Sequence, residues 1–273
     1  MRYEFVLDTL RRLQSEGLLA PTDTVLAICA ATSERQVFLD AGLKAATISN
    51  LDDRLGSPDF APYDWSYQDA QHLSFDTASF DHVFVSDGLH HCDSPHRGLL
   101  EMFRVARKSV IVFESRDSLL MRLGHRAGFV PDYEVEAVIG SGISHGGVNN
   151  TEVPNYVYRW TEREFEKTIA SFNPQGPCRF RYFYSMNLPT ARVAMGGNWL
   201  KTLAVHLAVP LTTLLGWVAP KQGNSFCMVA YKPRENELWP WLQMQGGKVK
   251  FRRSYADNFR AAQPGKAADG YFK

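Results

Sequence analysis

The chain lacks paired cysteines. Cys29, Cys92, Cys178 and Cys227 lie far apart with no C-x-x-C spacing, which excludes a disulfide scaffold. Three of them sit in apolar or strand-like settings, where a free thiol behaves as a small hydrophobe. That points to a reducing compartment, and the cytoplasm is the expected location. An excess of charge of one sign is also missing: 30 Lys and Arg stand against 29 Asp and Glu. No overall field draws nucleic acid, and no nucleic-acid partner is expected. The N-terminal stretch MRYEFVLDTLRRLQSEGLL carries charges throughout an amphipathic helical pattern, without the apolar core and cleavage site of a signal peptide. There is no internal repeat and no low-complexity segment. Glycine is absent between Gly17 and Gly42, although Val25–Arg35, VLAICAATSER, reads as a buried strand running into a helix. Nucleotide-binding α/β domains carry a glycine-rich turn at such a place.

What is present can form a full core. A chain of 273 residues with 45% hydrophobic content suits one large domain or a domain with an insertion. Its charge is unevenly spread. Residues 248–273 hold seven Lys or Arg (Lys248, Lys250, Arg252, Arg253, Arg260, Lys266, Lys273) against Asp257 and Asp269, leaving about −4 on the remainder. Such an end is expected as a solvated, partly disordered basic tail, or as a contact for an acidic partner or membrane surface.

Apolar runs and helical patterns alternate from Thr24 onward. Strands are expected at Thr24–Cys29, Ala45–Ser49, Trp65–Gln68, Phe80–Ser86, Ser109–Glu114, Phe180–Met186 and Ser225–Lys232. Helices are expected at Glu34–Ala41, Gly98–Ala106 and Glu162–Phe172. This order implies βαβ units in a doubly wound α/β fold, with a mostly parallel sheet covered on both faces. SERQ at Ser33–Gln36 and TERE at Thr161–Glu164 have capping-box spacing, so helices should open there. Two stretches break the alternation: 128–160, rich in aromatics, Gly and Asn, and 188–223, with the apolar run WLKTLAVHLAVPLTTLLGWVAP. Connections of that length carry function or form a lid. Trp199–Ala219 is just long enough to cross a bilayer, but Lys201, His206, Pro210 and Gly216 interrupt it. A core or lid helix pair broken at Pro210 is expected, with a membrane-surface or lipid-substrate contact as the alternative.

The block Asp69–Ser118 holds several spaced motifs: Asp69-Ala70, Leu73-Ser74-Phe75, Ser79-Phe80-Asp81, Leu89-His90-His91 and Arg104-Val105. It closely resembles the central block of class I S-adenosylmethionine-dependent methyltransferases of the small-molecule type, and the resemblance covers residues 20–120 well. It implies a seven-stranded, Rossmann-like sheet with Thr24–Cys29 at its centre and the last strand antiparallel. Residues 128–160 and 188–223 would pack over its carboxyl edge. It also implies S-adenosylmethionine as cofactor. The family's first motif, V-L-D-x-G-x-G-x-G, departs here at four positions: Ala27 replaces the acid, and Cys29, Ala31 and Ser33 replace the glycines. Glycine allows close approach of backbone to ligand, so the cofactor would lie slightly further out. Free backbone N–H groups at the helix start can still receive its carboxylate.

The resemblance places the other cofactor contacts as well. Asn50, with Asp52 just beyond, stands where an acid grips ribose hydroxyls. Asp69-Ala70 stands where the adenine is held, and Asp87 follows the fourth strand. The same residues are also ordinary turn chemistry after strands. SDGLHHC sets His90 and His91 at the carboxyl edge beside the switch point where ligands bind. A hydroxyl acceptor must lose its proton, and His is the commonest base, so either ring is a base candidate or a packing group for the next helix. With Asp93 the pair has a metal-site composition, but neighbouring side chains in an extended segment point opposite ways, and no metal is expected. The loop SHGGVNN adds His145, Asn149 and Asn150, with Tyr156, Tyr158 and Trp160 following. Amides and rings together suit a polyhydroxylated ligand; a turn and an aromatic core strand would show the same composition.

The expected function is methylation of a small polar acceptor, with O-methylation of a sugar or glycolipid intermediate as the finer reading. Two alternatives stay open. One is a methyltransferase fold that has lost its cofactor and serves as a scaffold or partner; the other is a non-methylating reaction on the same fold. The expected organisation is a cofactor half at 1–127, a substrate-side insertion at 128–160, the last helix and strands at 161–233, and the basic tail at 234–273. Oligomeric state is not legible.

Overall fold

The computed structural model describes residues 2–186, 188, 197 and 199–262. Residues 189–196 and 198 of the expected apolar insertion, and the basic end with Lys266, Asp269 and Lys273, lie outside the described residues.

Helix α1 (Arg2–Ser15) leads into β1 (Thr24–Ala27), α2 (Thr32–Asp40), β2 (Ala45–Asn50), the single turn α3 (Ser57–Phe60) and β3 (Asp64–Tyr67). Then follow β4 (Phe80–Ser86), α4 (Pro95–Val105), β5 (Ala106–Ser115), α5 (Leu119–Arg126), α6 (Val135–Gly140) and α7 (Glu162–Phe172). The chain continues with β6 (Arg179–Ser185), α8 (Trp199–Val218), β7 (Ser225–Tyr231), β8 (Leu242–Gln245), β9 (Lys248–Phe251) and α9 (Arg253–Ala261). Seven strands form one sheet in the order β3-β2-β1-β4-β5-β7-β6. Pairs from β3 to β5 are parallel, and β7 runs antiparallel to both β5 and β6. The middle position belongs to β4, with β1 beside it, rather than to β1 as expected.

The sheet is buried on both faces, which is why its inner strands are continuously apolar instead of alternating. One face is covered by α1 and α2, whose Val6, Leu10, Leu13, Val37 and Phe38 pack on Phe84, Ile111 and Phe113. The other is covered by α4 and α7 through Leu99, Met102, Phe103, Phe165 and Ile169.

Four sequence expectations are corrected. Helix α2 does not open at Ser33. Its N-cap is Ala31, which has no side-chain acceptor, so the Glu34 carboxylate takes the Ala31 N–H at 2.8 Å and draws the start back to Thr32. Helix α4 begins at Pro95, because Ser94 caps it and proline suits the first helical position. Helix α8 runs unbroken through Pro210; the missing N–H removes one rung without ending the ladder. The expected tail is a β8–β9 hairpin followed by α9. Gly246 and Gly247 have φ of +59° and +72°, the backbone that a two-residue hairpin turn requires.

Candidate active site

The carboxyl ends of β1 to β4 open onto one cavity of about 180 Å3. Cys29, Asn50, Asp69, Ala70, Asp87, Gly88 and His91 line it from the sheet side, and Gly147, Asn149 and Asn150 of the 128–160 stretch close it from above. That stretch is tied down by hydrogen bonds from Asn150 to the Leu51 carbonyl and from Asn149 to Asp93.

The chain leaves β1 through Cys29 at φ +50°, the left-handed region that glycine enters without strain and other residues do not. Space for the Cys29 side chain comes from across the cavity. A Cβ on Gly88 would lie 2.5 Å from Cys29 Cβ, so the glycine missing from the first strand's turn is compensated at the turn after β4. The neighbouring Cys29 thiol, together with burial, pushes the Cys92 pKa above its ordinary value.

Asn50 braces the same turn by donating to the Ala30 carbonyl at 3.0 Å. Asp69 accepts the Gln71 N–H at 2.8 Å and pairs with the His72 ring at 3.0 Å. Burial opposes its ionisation, but these partners hold its carboxyl below the usual range. Asp87, also left-handed at φ +52°, is pushed up to about 6 by burial, against the pull of its ion-pair partner Arg2. The Arg2 Nε is buried without a hydrogen-bond partner.

Behind the cavity wall lies a buried charge cluster. His90 Nδ1 meets Glu114 Oε2 at 2.7 Å, and its Nε2 lies 3.5 Å from Glu134 Oε2. Burial works against a charged His90, but Glu114 and Glu134 outweigh it and hold its pKa well above the ordinary histidine value. Burial and the His90 charge push His91 the other way, so the ring on the cavity wall stays neutral. Its Nδ1 lies 3.4 Å from the Gly147 carbonyl and its Nε2 3.3 Å from Glu134 Oε2.

The sequence candidates therefore divide. Cys29, Asn50, Asp69, Ala70, Asp87 and His91 come together. Ala31 and Ser33 lie at the start of α2, off the cavity lining, where the exposed Ser33 hydroxyl donates to Glu34. Asp52 is turned away in an ion pair with Arg54, and His145 contacts that same arginine at 2.7 Å. His90 is buried between carboxylates rather than open to an acceptor. His90 and His91 are not extended: they occupy a tight 3-10 turn, Leu89–His91, with ring centroids 4.7 Å apart. Sequence reasoning passed over Arg2, Glu114 and Glu134. Only Glu114 left a signal, an acid closing the apolar run of β5; the other two arrive from distant elements.

The arrangement accepts the cofactor implied by the sequence. Arg2 offers an unpartnered buried donor beside Asp87, where a carboxylate would satisfy it. The left-handed turn at Cys29 keeps its close approach to the ligand space.

Residues 28–113 match the family model described as a methyltransferase domain. No curated protein sequence matches the chain. The YcgJ protein from Bacillus subtilis superposes with a TM-score of 0.50 and 12% identity, over 85% of this chain and 100% of that one. Magnesium protoporphyrin IX methyltransferase from Synechocystis, solved with bound SAH, gives 0.49 and 13% over 85% and 83%. By its sequence motifs, its strand order and the match to a methyltransferase-domain model over 28–113, the chain resembles the class I S-adenosylmethionine-dependent methyltransferases.

Proposed function

We propose that this domain methylates a hydroxyl of a small polar acceptor, of the sugar or glycolipid class, with S-adenosylmethionine as donor. One observation carries the reading: a single cavity joins Asn50, Asp69 and Ala70 to His91, Asn149 and Asn150. S-adenosylmethionine supplies an electrophilic methyl group on a sulfonium. The protein's part is to position the acceptor in line with it. Arg2 and the Cys29 turn would receive the amino-acid end, Asn50 the ribose and Asp69-Ala70 the adenine. On the acceptor side, Asn149 and Asn150 offer amides to hydroxyl groups, and the His91–Glu134 wall takes up the proton that the hydroxyl must lose.

Calorimetric titration with S-adenosylmethionine and S-adenosylhomocysteine tests this. Asp69→Ala should weaken binding by about 1–3 kcal/mol, the cost of a buried polar group left unpaired; an unchanged affinity rejects the adenine assignment. If the native chain binds neither compound at millimolar concentration, the scaffold reading replaces this one.

A lipid surface is the proposed partner of α8. Trp199, Leu203, Leu207, Leu214 and Trp217 recur along one face and are 48–85% exposed. Among the described residues no helix is long and apolar enough to cross a membrane. An apolar helix with a Trp at each end suits the plane of a membrane interface, and a glycolipid acceptor would be met there.

A further inference from the structure

We propose that His90, His91 and Glu134 form a binding site for one divalent transition-metal ion of the Zn2+ type, at the acceptor end of the cavity. Three ligand atoms converge: His90 Nε2 and His91 Nε2 lie 3.5 and 3.3 Å from the same oxygen, Glu134 Oε2, and all three lie within 4.8 Å of one another. Ligands held at about 2.0–2.1 Å in a tetrahedral shell sit about 3.4 Å apart. The spacing fits an ion placed between them.

The second ring nitrogens complete the pattern. A histidine that binds metal through Nε2 donates its Nδ1–H to a carboxylate or a backbone carbonyl, which sets tautomer and ring orientation. His90 Nδ1 meets the Glu114 carboxylate at 2.7 Å, and His91 Nδ1 faces the Gly147 carbonyl at 3.4 Å. Both partners are pure acceptors, so both Nδ1 atoms carry hydrogen, and both Nε2 atoms are the ones turned toward Glu134. The tight turn Leu89–His91 makes this possible by bringing neighbouring rings to one side, which an extended segment would not do.

Asp87 with His90 and Glu114 is the competing cluster. It uses the His90 Nδ1 already engaged by Glu114, and Asp87 is matched by Arg2, so the Glu134 side is favoured. Three protein ligands leave a fourth position open, the arrangement of catalytic rather than structural zinc. His91 and Gly147 line the cavity, so that position faces the acceptor. With the ion bound, His91 and Glu134 are its ligands and no longer take the proton themselves; the ion would bind the acceptor hydroxyl and lower its pKa, the proton passing to solvent. This role rests on the methyltransferase reading; the binding itself does not.

The test is equilibrium dialysis of the full chain, stripped with chelator, against Zn2+, and then absorption spectroscopy with Co2+. About one equivalent should bind, with the intense visible bands of four-coordinate nitrogen and oxygen ligation. Glu134→Gln and His91→Gln should each weaken binding at least tenfold, with folding checked by circular dichroism. Failure to bind, or full binding by Glu134→Gln, overturns the site and leaves a protonated ion-pair network. A sulfur-to-cobalt charge-transfer band would also overturn it, by placing the ion on Cys29 and Cys92. The dialysis is run without S-adenosylmethionine, and cofactor titration is run separately. Loss of metal binding alone strikes this site, and loss of cofactor binding alone strikes the methyltransferase reading.

Discussion

Gly88 and Cys29 share one small volume at the cavity floor. A Cβ at Gly88 would meet Cys29 Cβ at 2.5 Å and Val85 Cγ2 at 2.8 Å, distances that force the backbone apart. Gly88→Ala should therefore cost about 1–3 kcal/mol, the usual penalty of overpacking. Cys29→Gly in the same chain should recover part of that loss, since it removes the nearer clash and the strained φ of +50° but leaves Val85 in place. Urea unfolding of the two single variants and the double variant gives the coupling energy. Strict additivity would show that the two positions do not share the space.

At the scale of elements, α8 behaves unlike the helices that cover the sheet. The stripes of α1 and α4 point inward, with Leu10 and Leu99 fully covered. On α8 one apolar stripe points out, with Leu207 at 69% and Trp217 at 85% exposure. The proposed lipid contact makes that face separable from folding. Leu207→Gln with Trp217→Ser should abolish co-sedimentation with vesicles of mixed neutral and anionic lipid, while the melting temperature changes little. Equal vesicle binding by both proteins rejects the lipid partner. A native chain that dimerises in solution through this face, and loses that with the same pair, would assign it to a second copy.

At the scale of the molecule, the two ends of the sheet carry different electrostatics. The carboxyl edge holds the cavity and its buried histidines. The amino edge is stapled by Asp81, which accepts the Thr24 N–H at 3.0 Å and pairs with Arg107 and Lys108. Burial alone would raise its pKa, but Thr24 and Lys108 outweigh it and bring Asp81 down to about 2. A carboxylate lowered from 3.8 to about 2 contributes about 2 kcal/mol at neutral pH. Because the folded value is depressed, that stability is present above pH 4 and is lost as pH falls toward 2. Asp81→Asn should thus be up to about 2 kcal/mol less stable at pH 7, and the gap to the native chain should close near pH 2. A gap that stays constant across this range would show that Asp81 acts by packing rather than by charge.

The sequence by itself determined the architecture and the position of the cavity. Seven strand patterns and the spaced motifs from Asp69 to Val105 dictate the sheet, since apolar runs buried on both faces are local signals. Asn50, Asp69 and Asp87 were legible because each ends a strand at the carboxyl edge, where a doubly wound fold gathers its ligand contacts. Tertiary structure alone decided the electrostatics inside that cavity. Glu114 comes from β5, Glu134 precedes α6 and Arg2 opens α1, and no spacing in the chain announces that they meet at His90 and Asp87. The same holds for the glycine. A motif read along one strand shows that residue 29 has a side chain; only the packing of a second turn shows that Gly88 makes room for it. Capping failed for a related reason. Ser33 has the right spacing, but the strand geometry ends at Ala27 and the helix starts wherever the first free N–H finds an acceptor, here Glu34. Periodicity reports burial, which neighbours in sequence share; charge pairing depends on distance through space, which the fold alone sets.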